Sequence, residues 1–178
     1  MFEYFYNEIF RSVIIGFGSL FNGIEIKKGD SIIKVPLAYG PTQKFLARMQ
    51  QEADLNKPVS ITLPRMSFEF LGLQYDSSRK STQTQTIINQ TPDGANVKRN
   101  YLPVPYNMRF ELSIMTKLND DMLQIIEQIL PYFQPAYQLP INFLGNLKEK
   151  RDVPINLDNI SMEDDYEGNF DTRRALIY

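Results

Sequence analysis

The residues best placed to do chemistry are Asp120 and Asp121, adjacent in the run TKLNDDMLQIIEQIL. Two acids side by side can divide the roles of general acid and general base. Neighbouring residues on a helix point in different directions, however, and behind Asn119 the pair reads as a cap on the exposed N–H groups of a helix start. A second acidic set, Glu163, Asp164, Asp165, Glu167 and Asp171, could gather a calcium ion, yet its spacing departs from the DxDxDG loop and solvated charge is the plainer reading. Gly16-Phe17-Gly18 supplies two glycines of a GxGxxG pattern, without the third and without a preceding strand. Lys148, Lys150 and Arg151 form a small basic cluster that could touch a phosphate or an acidic partner, with solvation as the default. None of these sets brings together a nucleophile, a base and an orienting group. No catalytic residue, cofactor-binding residue or metal ligand is expected, and the chain is not read as an enzyme.

The residue inventory narrows the choice further. The chain has no cysteine and no histidine. Disulfides, zinc sites built on thiolate or imidazole, and Ser-His-Asp or Cys-His catalysis are therefore excluded. A net charge of −2 offers no broad basic field for duplex nucleic acid. With 178 residues, 43% hydrophobic and 22% charged, the chain fits one domain that buries roughly two-thirds of its unfolded surface. Its 12 Phe and 10 Tyr suit cores and interfaces equally. The start, MFEYFYNEIF, puts Glu3 where a secretion signal needs positive charge, and no apolar run reaches membrane-spanning length, so synthesis in the cytoplasm is expected.

The elements that would position these groups follow from hydrophobic spacing. Residues 2–15 have helical periodicity, with Phe2, Phe5, Tyr6, Ile9, Phe10, Val13 and Ile14 on one face, and Gly16 and Gly18 are expected to loosen or end the helix. That helix either packs on its own core or turns some of its aromatics onto a neighbouring subunit. Lys28-Gly29-Asp30 reads as a tight turn between two short strands, with Pro36 as a bulge or edge position in the second. From Pro41 a helix is expected, capped by Thr42, with Phe45, Leu46 and Met49 as its stripe. In the segment 59–75, Met66, Phe68 and Phe70 alternate with Arg65, Ser67 and Glu69 as in a half-buried strand. Met108, Phe110, Leu112 and Ile114 make one face of another strand. The helix from Asn119 then has a wide apolar face of Met122, Leu123, Ile125, Ile126, Ile129 and Leu130, stopped by Pro131 and Pro135.

Between these strands the composition changes. Residues 76–100 are rich in Ser, Thr, Gln and Asn, and Thr91-Pro92-Asp93-Gly94 has strong turn chemistry. The stretch is either a surface loop or a polar β-hairpin arm that pairs with a neighbour. The tail holds a strand around LKEKRDVPINL, an acidic loop EDDYEGNFD, and a strand-like ending RRALIY. Strands interspersed with two or three helices point to an α+β (mixed α/β) fold, with a mixed or antiparallel sheet flanked by the helices.

Several stretches in order, MFEYFYN, IKVPLAY, ITLPRM, FELSIMTKLNDDMLQIIEQILPYFQP, KRDVPI and the arginine pair of DTRRALIY, resemble the tail sheath stabiliser and completion proteins (tail terminators) of T-even-type contractile-tailed bacteriophages. The resemblance spans nearly the whole chain and is weakest through the polar arm. It implies a compact α/β subunit that forms a hexameric ring on the last ring of tail tube and sheath, ends tail polymerisation, holds the extended sheath and presents a surface to the neck. It brings no catalytic residues and no cofactor. Implied partners are copies of the same chain, the tube protein, the sheath protein and the neck or head-completion proteins, without a membrane and with DNA only passing through the ring. The place implied is the head-proximal end of the virion tail, after assembly in the host cytoplasm. Members of that family run on past the arginine pair into more strand-forming sequence, whereas this chain stops at Tyr178, as expected of a naturally short or trimmed chain. On this view residues 1–178 are a single tail-terminator domain with 77–103 as a projecting arm. The expected contact residues are Phe2, Tyr4, Phe5 and Tyr6 at the start, Thr84, Thr86, Ile87, Ile88, Lys98 and Arg99 on the arm, and Lys150, Arg151, Arg173 and Arg174 in the tail. The rival reading is a monomeric neck or adaptor module of a phage particle.

Overall fold

The structure, a computed structural model, describes residues 4, 6–50, 63–82, 84–90, 97–144, 149–166 and 173–177. Its first helix, α1 (Ile9–Phe21), begins well after Phe2 and runs through Gly16 and Gly18 instead of ending there. The reason is close packing. A Cβ on Gly16 would sit 3.0 Å from Leu139 Cδ2, and one on Gly18 would sit 2.7 Å from Phe68 Cζ. Glycine costs a helix about 1 kcal/mol relative to alanine, and here the missing side chain lets a leucine and a phenylalanine ring approach the helix backbone. Val13, Phe17 and Phe21, four residues apart, form the buried stripe of α1. The Phe17 ring stacks on Phe110 with centroids 4.4 Å apart.

A hairpin follows, in which β1 (Glu25–Lys28) and β2 (Ser31–Lys34) pair antiparallel with Lys28 opposite Ser31. Gly29 makes the turn at φ 60°, as its sequence predicts. Pro36 lies beyond β2 rather than within it. Its carbonyl accepts the Met66 N–H at 2.9 Å where the chain leaves the hairpin for β3 (Leu37–Tyr39). Next comes α2 (Thr42–Gln50), whose Phe45 is buried with Met115. Thr42, expected as a cap, turns its hydroxyl to Glu111 and Ser113 of the central sheet. The side chains of Leu46 and Met49 lie outside the description.

That sheet is mixed. β3 runs parallel to β4 (Arg65–Tyr75), and β4 runs antiparallel to β7 (Tyr106–Met115), in the order β3-β4-β7. Met66 and Phe68 face the core as their alternation predicts, but Ser67 and Ser113 are also buried, because α2 lies on the other side. After β7, α3 (Asn119–Ile129) sends Met122, Ile125, Ile126 and Ile129 into a core shared with Phe17, Phe21, Ile26 and Phe68. Leu123 and Leu130, expected on the same apolar face, are half exposed. Pro131 sits in a short 3-10 turn, Leu130–Tyr132, that ends the helix.

Three antiparallel ribbons complete the α+β architecture. β5 (Thr86–Gln90) pairs with β6 (Val97–Tyr101), Thr86 opposite Tyr101; the expected turn at 91–94 lies outside the described residues. β8 (Tyr137–Leu144) pairs with β9 (Glu149–Ile155), and its Leu139 and Ile141 close over Val13 of α1. Finally β10 (Met162–Tyr166) pairs with β11 (Arg173–Ile177). The segment expected as an acidic loop therefore starts as a strand.

Candidate assembly surface

The two adjacent acids at the start of α3 separate completely. Asp120 is exposed and accepts a hydrogen bond from Gln124 Nε2 at 3.0 Å, one turn on. Asp121 is buried and pairs with Lys28 Nζ at 2.8 Å, reaching into the β1–β2 turn. Neither caps the helix through its side chain: the N-cap position is Leu118. Their negative charge at the first turn still suits the helix dipole. The arrangement is structural, since one carboxylate is engaged by a lysine and the other faces water.

Beside this ion pair, α3 holds the edge of β1 through two glutamines. Gln124 Oε1 accepts from the Lys27 N–H at 2.9 Å, and its Nε2 donates to the Lys27 carbonyl at 3.3 Å. One turn along, Gln128 Oε1 accepts from the Glu25 N–H at 3.5 Å and its Nε2 donates to the Glu25 carbonyl at 2.7 Å. A primary amide offers one acceptor and two donors, so each glutamine reproduces what a neighbouring strand would offer at alternate residues of β1.

A groove of about 190 Å³ at the root of the β5–β6 ribbon is lined by Tyr75, Lys80, Tyr101, Val104 and neighbouring backbone. Small-molecule sites usually start at about 300 Å³, so this groove is too small to serve as one. Among the described residues no helix is long and apolar enough to cross a membrane.

What the surface does carry is exposed aromatic and aliphatic side chains. Past a bulge between Phe70 and Gly72, the far half of β4 exposes Leu71, Leu73 and Tyr75, and Tyr75 meets Tyr106 of β7 edge-on at 5.6 Å. Tyr101 at 79% exposure and Val104 at 62% continue this area toward β6. Exposed apolar groups gathered in one region of a soluble chain mark an interaction surface.

The expected contact residues are distributed over separate places. Tyr4 and Tyr6 stand exposed ahead of α1, Tyr4 at 96%, while Phe2 and Phe5 lie outside the described residues. Thr84 is exposed just before β5, and Thr86, Ile87 and Ile88 of that strand lie across from the β6 stretch that holds Lys98 and Arg99. Ile88, 62% exposed, is directly opposite Arg99. Lys150 and Arg151 lie on β9, opposite Asn142 and Ile141, and Arg173 and Arg174 on β11, opposite Tyr166 and Asp165. Lys148, Glu167 and Asp171 lie outside the description. The residues of β5 and β6 are thus brought together, whereas those ahead of α1, on β9 and on β11 lie on separate elements. Sequence reasoning passed over the far half of β4, although the apolar side chains of Leu71, Leu73 and Tyr75 at every second position were a readable signal.

Comparison with known proteins agrees on one family. A sequence model described as T4-like virus Myoviridae tail sheath stabiliser matches residues 4–178. The tail completion protein gp15 of Enterobacteria phage T4 is similar to this chain, 34% identical over 190 residues, an alignment that covers 99% of this chain and 68% of that protein.

Proposed function

Because the chain belongs to the T4-like myovirus tail sheath stabiliser family, we propose that it completes a contractile tail as a ring of subunits seated on the last ring of tube and sheath. In this reading residues 1–178 act as a single tail-terminator domain with 77–103 as a projecting arm. Six copies close the ring, stop further polymerisation of the tail, hold the sheath extended and offer the neck a docking face. The observation that carries it is the family match along almost the whole chain. It is supported by the exposed aromatic and aliphatic side chains of the described surface.

The physical demand on such a subunit is asymmetric. A closed ring repeats one heterologous contact around a cycle, so two different patches of the subunit must fit each other. A terminator also needs one face that copies the polymer's own contacts and another that does not. The β5–β6 arm, with Ile88 and Arg99 outward, and the exposed Tyr4 and Tyr6 ahead of α1 are assigned to contacts between subunits or with tube and sheath. The core helices α1 and α3 hold those elements in place and do no chemistry of their own.

The test is the mass of the purified protein by light scattering, with negative-stain images of the same sample and of the sample mixed with tail tubes. Rings, free or on tube ends, are expected. Deleting residues 80–100 is expected to abolish ring formation or tail binding while leaving the helical signal in circular dichroism intact. A protein that stays monomeric both free and on tubes would favour a neck or adaptor module instead.

A further inference from the structure

Alternation along a strand and register across a ladder place side chains on a common face. On the face of the central sheet toward α2, β4 brings Arg65, Ser67 and Glu69, and β7 brings Met115, Ser113 and Glu111. The register sets Ser67 opposite Ser113 and Glu69 opposite Glu111, so two hydroxyls and two carboxylates form a square. Thr42, the first residue of α2, lies over one side of it. Its hydroxyl donates to Glu111 Oε1 at 3.2 Å, and the Ser113 hydroxyl donates to the same oxygen at 3.2 Å.

Two features of this square are unbalanced. Like charges directly opposite one another across a ladder repel, yet among the described residues no ion pair engages Glu69 or Glu111. The arginines that flank them on the same face are turned elsewhere: Arg65 lies over the Phe45 ring at 5.1 Å, and Arg109 donates to Gln74 at 3.1 Å. The second feature is Ser67. It is fully buried, and its hydroxyl has no hydrogen-bond partner among the described residues. Buried polar groups are nearly always paired, so an orphan beside two unneutralised acids asks for a ligand.

We propose that this square is a cation site that takes a calcium ion, with Glu69 and Glu111 supplying the charge, Ser67 Oγ an inner oxygen, and water the remaining positions. Oxygen donors alone suit a hard cation. Calcium accepts irregular sets of about six to eight oxygens, whereas magnesium demands near-ideal octahedral geometry and gives up water reluctantly. Ser67 has no exposed surface to offer a lysine or arginine of another chain, so a small ion answers both features where a partner's side chain answers only the first. Such an ion would join β4 to β7 beside the start of α2, and would act on the fold of each subunit whether or not a ring closes.

Calorimetric titration of calcium chloride into the full chain, freed of metal with a chelator, tests the site. With only two carboxylates, a dissociation constant of about 10⁻⁴–10⁻³ M is expected. At matched ionic strength, about 10 mM calcium should raise the melting midpoint by about 2–4 °C, and magnesium should do less. Glu69→Gln with Glu111→Gln keeps the shapes and the acceptor oxygens. That variant should melt above the wild type in chelator, because the repulsion is gone, and should lose the response to calcium. Ser67→Ala should also melt higher in chelator, yet bind calcium about tenfold more weakly. Glu163→Gln with Asp164→Asn, at acids of another element, should titrate like the wild type. A wild type indifferent to calcium, or a calcium response that survives in the Glu69 and Glu111 variant, would overturn the site. Indifference to calcium together with loss of tail-tube binding in that variant would overturn it in favour of a partner's cation on the same two acids.

Discussion

The two halves of the β4–β7 pair share one ladder and meet opposite fates. In the near half, Met66 opposite Ile114 and Phe68 opposite Leu112 face the helices α1 and α3, and α2 lies on the other side. In the far half, past the bulge at Phe70 and Gly72, Leu73 lies opposite Met108 and Tyr75 opposite Tyr106, with Leu73, Tyr75 and Tyr106 all exposed. The apolar pattern runs through both halves. What differs is coverage: three helices serve the near half, whereas the far half packs Met108 against the cluster of Val13, Leu139 and Ile141 and leaves Leu73, Tyr75 and Tyr106 exposed. Alternation locates a strand, then, without saying what lies on it. An exposed apolar stretch of this kind is a candidate contact surface.

The near half should break first and hardest. Phe68 contacts Phe17 at 5.6 Å and Tyr39 at 5.2 Å between ring centroids, and its ring fills the space left by Gly18. Phe68→Ala is expected to cost about 3–5 kcal/mol, since the cavity adds to the lost transfer energy. The midpoint of urea unfolding at constant slope measures this. Lys28→Met should come next. It leaves Asp121, with 3% of its side chain exposed, without its cation. Breaking a fully buried pair costs about 3–5 kcal/mol. Because Lys28 itself is 36% exposed, the expected loss here is only about 2 kcal/mol. Replacing both partners, Lys28→Met with Asp121→Leu, should recover most of it, and a double variant no better than the single one would mean that packing and not charge is at stake.

Gly18→Ala is smaller again. The new Cβ meets the Phe68 ring at 2.7 Å, and overpacking costs about 1–3 kcal/mol, against a gain in helix propensity of about 1 kcal/mol. The net should be a loss of about 1 kcal/mol that Phe68→Leu in the same chain reduces. If Gly18→Ala raised stability, the close approach would not be what keeps glycine there.

These positions also show what the sequence made legible. The β7–α3 unit was readable because both of its signals are local: period-two alternation up to Met115, then helical spacing from Met122. Gly29 was readable for the same reason, as a turn residue between two runs. Gly16 and Gly18 read as loosening or ending the helix because their partners, Leu139 and Phe68, are distant in the chain. Asp121 read as a cap for want of any way to see Lys28, and Thr42 likewise for want of Glu111 and Ser113. β8 was missed although Leu139 and Ile141 alternate with Gln138 and Pro140; the proline hides a strand whose inner face is nonetheless buried. Of the candidate surface, the pairing of β5 with β6 was legible from the alternating, threonine-rich sequence. The cover on the outer edge of β1 was not, because Gln124 and Gln128 that supply it are distant in the chain.

The far half should respond in the opposite sense, with stability almost unmoved. Leu73 is 45% exposed, so Leu73→Ser is expected to shift unfolding by no more than about 0.5 kcal/mol. If this half is a contact surface, the same substitution should weaken binding to tail tubes, read by sedimentation with tubes, far more than it weakens the fold. A loss of stability comparable to that of a near-half variant would erase the distinction between the two halves.

The smallest expected effect lies where the far half meets the arm. Asp76 Oδ1 accepts the Ser78 N–H at 3.0 Å and Asp76 Oδ2 takes Arg79 Nε at 2.6 Å, while Arg79 also donates to Asn107 of β7. The Ser78 hydroxyl first, and then Arg79, hold the Asp76 carboxyl down at about 2 from an ordinary 3.8. A lowered folded value means that the tie contributes fully above the unfolded value and is lost as the pH falls, here between about 4 and about 2. The Asp76 side chain is partly exposed and its partner Arg79 more so, and solvent screening keeps the consequence local. Amide exchange at Ser78 and Arg79, followed by NMR, should therefore quicken over that interval relative to the intrinsic rates, while amides of the near half stay protected. Asp76→Asn should flatten the dependence. Unchanged protection of Ser78 down to the end of the interval would mean that the arm is tethered to β7 by something other than this carboxylate.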